Sequence, residues 1–232
     1  MATTAFCTSA KVELLQSTHC FNATQSGVTG TTSNGVFTIT ALASTAGLSV
    51  GMAVTGTNIP AGAVIASIDS ATQVTMSKAA TGAAGSSIAF TADVFKMLLI
   101  KVSPTRTFDG TQTNVGTPGA GSPTATNVGT DETSGTGYVS GGTALTNVTP
   151  SNPSGTTAIT NFSPNPSWTS ASFSCTAGII YNSSTRLGAA ATPLNGRTIS
   201  VHDFGGTQTV TSGTFTAVMP TADAVNAILR IA

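Results

Sequence analysis

Charge is what this chain has least of. Its 232 residues carry 8 Lys+Arg and 8 Asp+Glu, 7% of the total, with zero formal net charge and only two histidines. Soluble domains average about 25% charged residues. Eight scattered cations cannot form the basic patch that a phosphate-rich partner requires, so a nucleic-acid groove is excluded. Classical disorder couples low hydrophobicity to high net charge, whereas here 40% of residues are apolar. Cysteine is also scarce. Cys7, Cys20 and Cys175 are odd in number and contain no Cys-x-x-Cys pair, which excludes a secreted disulfide framework. Buried free thiols are expected in preference to a Cys7–Cys20 bridge. Long apolar runs are missing: Met97-Leu98-Leu99-Ile100 is one strand's worth, far short of the ~20 residues of a spanning helix, so no membrane partner is expected. Met1-Ala2-Thr3-Thr4-Ala5-Phe6-Cys7 has neither a basic start nor an apolar signal-peptide run. A protein made and folded in a cytoplasm is expected.

What is abundant is hydroxyl. There are 44 Thr and 26 Ser, nearly a third of the chain, with 25 Gly. β-Branched residues suit a pleated surface, so strands are favoured over helices. The one convincing helix lies at 8–18, where Thr8 or Ser9 can cap and Val12, Leu15 and His19 share a face. Residues 28–91 read as a small inserted β-barrel or sandwich module with strands at Val36–Thr40, Met52–Thr55, Ala63–Ile68, Gln73–Ser77 and Ser87–Thr91. Another strand begins near Asp93 and runs through Lys101. Region 102–135 then dissolves into Pro, Gly, Thr, Ser and Asn, too long for an ordinary connection, and reads as a long extended loop or arm, either an ordered excursion on a partner or a mobile arm. Strands resume at Ala158–Phe162, Ser170–Cys175, Ala177–Tyr181, Thr198–Phe204, Thr207–Thr211, Thr214–Met219 and Asn226–Ile231. The fold expected is all-β: a jelly-roll-like β-sandwich from 1–27 and 92–232, one short N-terminal helix, and the inserted module. A neutral chain is not kept apart by its own charge, so assembly into something larger is expected.

Catalytic and metal-binding patterns are weak. There is no Gly-x-Ser-x-Gly elbow, and His202 and Asp203, as neighbours on a strand, point to opposite faces. Asp131-Glu132, the one adjacent acidic pair, reads as a solvated turn. Asp109-Gly110-Thr111-Gln112-Thr113-Asn114 starts like a calcium loop but lacks the closing Glu. Cys7, His19 and Cys20 lack a fourth ligand and zinc spacing. No cofactor or metal is expected, and no enzyme. Trp168, Tyr138, Tyr181 and Phe95 read as core rather than sugar-binding aromatics. In a chain this poor in charge, Arg106, Arg186 and Arg197 are candidate interface anchors, with Phe108 and Asp109 beside Arg106 in the arm.

Several stretches carry a family likeness. Ala5-Phe6, Lys11, Glu13-Leu14-Leu15, His19 and Phe21, followed by Asp93-Val94-Phe95-Lys96, resemble the opening of small tailed-phage virion proteins. Ser134-Gly135-Thr136-Gly137-Tyr138, Trp168-Thr169-Ser170-Ala171, Ile179-Ile180-Tyr181-Asn182, Asp203-Phe204-Gly205-Gly206 and Asn226-Ala227-Ile228-Leu229-Arg230-Ile231 extend it in the same order. Leu48–Gly56 with Ile59-Pro60-Ala61-Gly62 and Ala63–Asp69 looks like a β-module spliced into many phage surface proteins. The resemblance implies a virion component on the capsid surface, a decoration (cement) protein whose partner is the major capsid protein, or else a tail protein. Self-assembly is expected as a trimer, and the module would project outward, where it could bind host surface glycans.

Overall fold

The computed structural model describes residues 1–83, 87–186 and 193–231. Among the described residues the protein is all-β with three sheets and one short helix, consistent with the expected sandwich. In chain order the elements are β1 (Ala5–Phe6), α1 (Thr8–Leu15), β2 (Gln25–Val28), β3 (Thr38–Ile39), β4 (Ala53–Thr55), β5 (Ala63–Ser70), β6 (Gln73–Met76), β7 (Ile88–Thr91) and β8 (Phe95–Lys101). A 3-10 turn at Gly129–Asp131 precedes β9 (Thr143–Leu145), β10 (Asn147–Ser151), β11 (Ala158–Phe162), β12 (Ser167–Asn182), β13 (Arg197–Thr216) and β14 (Leu229–Ile231).

The chain divides into two compact units. One comprises Met1–His19, Val94–Thr146 and Pro150–Ala232; the other comprises Cys20–Asp93 with Asn147–Thr149. The second spans more than the 28–91 read from sequence, because polar β2 already pairs with β7, Gln25 opposite Phe90 and Val28 opposite Ile88. Its six strands run in the order β2-β7-β4-β5-β6-β3 around a core of Ile39, Leu42, Met52, Val54, Ile65, Val74, Met76, Ile88 and Phe90. The unit closes where it begins. The Asp93 amide donates to the Cys20 carbonyl at 3.1 Å, the Cys20 amide donates to Asp93 Oδ2 at 2.9 Å, and Asn147 Nδ2 donates to the carbonyls of Asn22 and Asp93.

The larger unit is built on the antiparallel sheet β1-β13-β12-β8-β9. Strand β8 reads as a continuous apolar run because Met97, Leu98, Leu99 and Ile100 are all buried. The five short strands expected between 170 and 219 are in fact mostly two long ones. Gly205-Gly206 and Ser212-Gly213 look like turns but are bulges in β13. Register shifts fall at those points, between Cys175/Ala177 and Ala171/Phe173 of the facing strand, and Gly205 and Ser212 take φ of 74° and 47°. A bulge needs such residues because it inserts extra backbone against one partner, often with a left-handed residue. Inward of these strands lies an aromatic cluster. Trp168 stacks near Tyr138 with centroids 6.3 Å apart, Phe173 meets Phe215 edge-on at 5.5 Å, and Phe204 lies 6.1 Å from Phe215.

Region 102–135 is not a free arm. Phe108, Val115 and Val128 are buried, as are Gln112, Asp131 and Glu132. The Val115 amide donates to the Gly196 carbonyl and the Thr133 amide to the Leu99 carbonyl. The stretch is an ordered part of its own unit, held by three widely spaced buried apolar side chains and by polar groups that no apolar pattern reveals.

Helix α1 also departs from expectation. Neither Thr8 nor Ser9 caps it: Cys7 is the N-cap, in extended conformation and without a side-chain cap bond, and the Thr8 amide donates to the Gly110 carbonyl at 2.9 Å. Its buried residues are Ala10 and Glu13, while Val12 and Leu15 face outward, 51% and 89% exposed.

Candidate functional site

Two buried polar clusters organise the larger unit. The first is centred on Glu13. Its Oε2 lies 2.7 Å from His19 Nε2, its Oε1 receives Arg197 Nη1, and His19 Nδ1 is 3.0 Å from Asn182 Nδ2. Burial alone would raise the Glu13 carboxyl pKa, but hydrogen bonds from His19 and Arg197 outweigh it and hold the group below its ordinary value. The carboxylate therefore stays ionised and pins the helix to β13. A cavity of about 330 Å³ opens beside it, lined by Ser9, Val12, Glu13, Gln16, Thr18 and Arg197.

The second cluster is the Asp131-Glu132 pair, which is no solvated turn. Asp131 Oδ1 accepts the Thr105 amide at 2.9 Å, Oδ2 accepts the Arg106 amide at 3.0 Å, and Lys101 Nζ lies 3.0 Å from Oδ1. Burial pushes its pKa up, and these donors more than offset that, leaving it below the usual 3.8. Glu132 Oε1 accepts the Tyr138 hydroxyl at 2.7 Å and the Gly141 amide at 2.6 Å, and its Oε2 accepts Ser140 Oγ at 2.6 Å. Tyr181 Oη in turn donates to the Gly141 carbonyl at 2.6 Å, and burial raises that phenol to about 12. Two successive acids facing opposite ways thus fasten 102–108 and 138–142 onto the sheet. Gly142 completes the fit: its φ is 73°, and a Cβ there would collide with the Met97 carbonyl.

The five interface candidates lie differently from their reading as surface anchors. Phe108 is fully buried and cannot reach a partner. Arg106 lies over the Phe108 ring, 5.8 Å from its centroid, and donates to Gln112 Oε1 at 3.0 Å. Asp109 closes a local turn by accepting the Thr111 amide and hydroxyl at 2.8 and 2.7 Å, which lowers its pKa. Arg186 Nη2 reaches the Thr18 carbonyl at 3.4 Å, and Arg197 holds Glu13. In a chain with few charges the arginines serve as internal clamps. Sequence reasoning missed Glu13 as the partner of Arg197 and Asp131 as the partner of Lys101 and of the Arg106 backbone amide; the available signal was that an acid is rare enough here to need a structural purpose.

The reactive groups are held in quiet states. Burial pushes the Cys7 and Cys175 thiols up to about 12, and all three cysteines are free and buried. A thiol held that high carries almost no thiolate, the nucleophilic form, at neutral pH. His202 Nε2 is 2.8 Å from Ser200 Oγ, but Ser200 is only 1% exposed. Burial lowers the imidazole to about 4, so it is neutral at physiological pH. Asp203 instead accepts the Gly205 amide. Among the described residues no group of three His, Cys, Asp or Glu is placed to hold a metal ion. A cavity of about 630 Å³ near the bulge is lined in part by Val102, Pro104, Thr176, Asp203, Gly205 and Thr207.

Fold and site together define an all-β protein of two units in which Glu13, Asp131 and Glu132 are buried and held by donors from other segments. Comparison with family models, curated proteins and solved structures returns no match.

Proposed function

We propose that this chain is a non-enzymatic structural protein of a tailed-phage particle, a decoration protein that braces major capsid subunits and assembles as a homo-oligomer. The observation that carries this reading is the inverted helix. An eight-residue helix is marginal alone and normally docks by its apolar face. Here α1 is docked by a buried carboxylate, which leaves Val12 and Leu15 in solvent. Burying an ionised acid is expensive unless it is paired, and its result is an apolar pair offered outward. Such a pair on a near-neutral surface suits a contact with another protein, and many weak copies add up on a lattice. The test is co-sedimentation with capsid shells lacking the protein. Wild type is expected to pellet with the shells, and Val12→Glu with Leu15→Glu to lose at least about tenfold in occupancy. Binding unchanged by both substitutions would overturn the assignment of this face.

A second reading, a tail or fibre protein binding host surface glycans through the module, draws support from Phe37, which is 49% exposed. Locating the chain by cryo-electron microscopy of intact particles separates the two: density over the shell supports decoration, density confined to the tail tip supports adsorption.

A further inference from the structure

The outer edge of β13 is covered at one end only. Ala5 and Phe6 pair with Val201 and Ser200, the Cys7 amide reaches Ile199, and the Thr198 amide reaches Thr113. Beyond Asp203, whose amide donates to Thr4 Oγ1, no backbone partner is present on that edge among the described residues as far as Thr216. Exposed strand edges are usually blunted with Lys, other charges or Pro, by bulges, or by a cover. From Phe204 to Thr216 there is no charge and no proline; between the two bulges Gln208–Val210 keep unbroken register with β12, and Thr207–Thr211 contain no positive φ.

The direction of the free groups can be worked out. Ser174 stands opposite Thr209, but the Ser174 carbonyl accepts from Thr133 Oγ1, and Thr133 lies on the β8 side, where its amide binds Leu99. Ser172 likewise turns its amide to Thr136 and away from β13. Ser174 and Thr209 are therefore a non-hydrogen-bonded pair, so Thr209 directs its own N–H and C=O outward. Thr207 and Thr211 have no partner on β12, and because no residue between them has positive φ, strand alternation carries the same outward direction to both.

We infer that this edge pairs with the same edge of a second copy, antiparallel about Thr209. The sequence Thr207-Gln208-Thr209-Val210-Thr211 is nearly self-complementary in that register. Thr209 faces its own counterpart, Thr207 faces Thr211 of the second copy, and Gln208 faces Val210. Hydroxyl meets hydroxyl across the pair, a favourable cross-strand combination, and no like charges oppose. Such an isologous contact closes at two copies, so it gives a dimer where a trimer was expected. The inference is independent of the virion reading, since it concerns the free chain in solution.

Sedimentation velocity of the full chain over micromolar to submillimolar concentrations tests it. Wild type is expected to dimerise. Thr207→Lys with Thr211→Lys sets like charges opposite each other and is expected to weaken the dimer at least about tenfold. Thr207→Lys with Thr211→Glu sets each Lys opposite a Glu and is expected to restore it, with added salt sensitivity. All three positions of the register are exposed, so circular dichroism should be unchanged. A monomeric wild type would overturn the proposal. So would a Lys/Lys variant that dimerises like wild type, or a Lys/Glu variant as weak as Lys/Lys.

Discussion

Asp131→Asn is the sharpest probe of how the region after β8 is held. The substitution keeps shape and removes charge. In the native unit both carboxylate oxygens face donors: Oδ1 the Thr105 amide and hydroxyl, Oδ2 the Arg106 amide and, at 2.9 Å, the same hydroxyl. An asparagine can present only one oxygen, so its NH₂ must face one backbone N–H. Hydrogen bonds to charged groups contribute about 1.5–3 kcal/mol, and a stranded buried donor costs about 1–3 kcal/mol. The Lys101 contribution is discounted, because that side chain is 33% exposed and can turn to water. The expected loss is roughly 2–4 kcal/mol, or a melting-point drop of roughly 5–15 °C for a chain of this size. Urea unfolding followed by Trp168 fluorescence measures it, because the single tryptophan lies in the same unit as Asp131. The pH dependence has a definite sign. The folded pKa is depressed below 3.8, so the stabilisation is complete above that value and fades as pH falls through the folded one. The gap between wild type and variant should be constant near neutrality and shrink in acid. A gap under about 0.5 kcal/mol at pH 7, the range of surface substitutions, would refute the clamp.

Two further outcomes follow from the packing. Gly142→Ala should destabilise the larger unit by at least about 2 kcal/mol, since a left-handed conformation and a collision with the Met97 carbonyl combine. Gly155→Ala, with φ of 81° but open space around its Cβ position, should cost about 1 kcal/mol, and equal losses in the two melts would sink the collision argument. Cys7 and Cys175 should resist alkylation in the native protein at pH 8 and react on unfolding, as mass spectrometry of labelled peptides would show; rapid native labelling of either would contradict its burial.

The module strands were legible because Gly and Pro punctuation coincides there with true turns, and β4 to β7 lie within a residue or two of their expected places. The same rule failed on β13, where Gly205-Gly206 and Ser212-Gly213 mark bulges inside one strand. Glycine supplies a positive φ to turn and bulge alike, so composition does not separate them. Helix α1 was found, but its face was inverted, because Val12 and Leu15 carry the hydrophobic signal whereas the buried side is made by Ala10 and by Glu13, whose partners lie as distant in sequence as Arg197. The 102–135 region was misread for the same reason. Beside the isolated buried Phe108, Val115 and Val128, its anchors are carboxylates and amides, and the value of these depends on which donors the fold brings to them.

The seam between Cys20 and Asp93 has a consequence for how such a chain can change. Because entry and exit are joined by one backbone hydrogen bond and by the Cys20 amide on the Asp93 carboxylate, the segment between them is closed at its base. Its length is nearly irrelevant to closure, since loop entropy grows only logarithmically. The entropic cost of closing the chain at this point is therefore set by the meeting of Cys20 and Asp93 far more than by the number of residues between them.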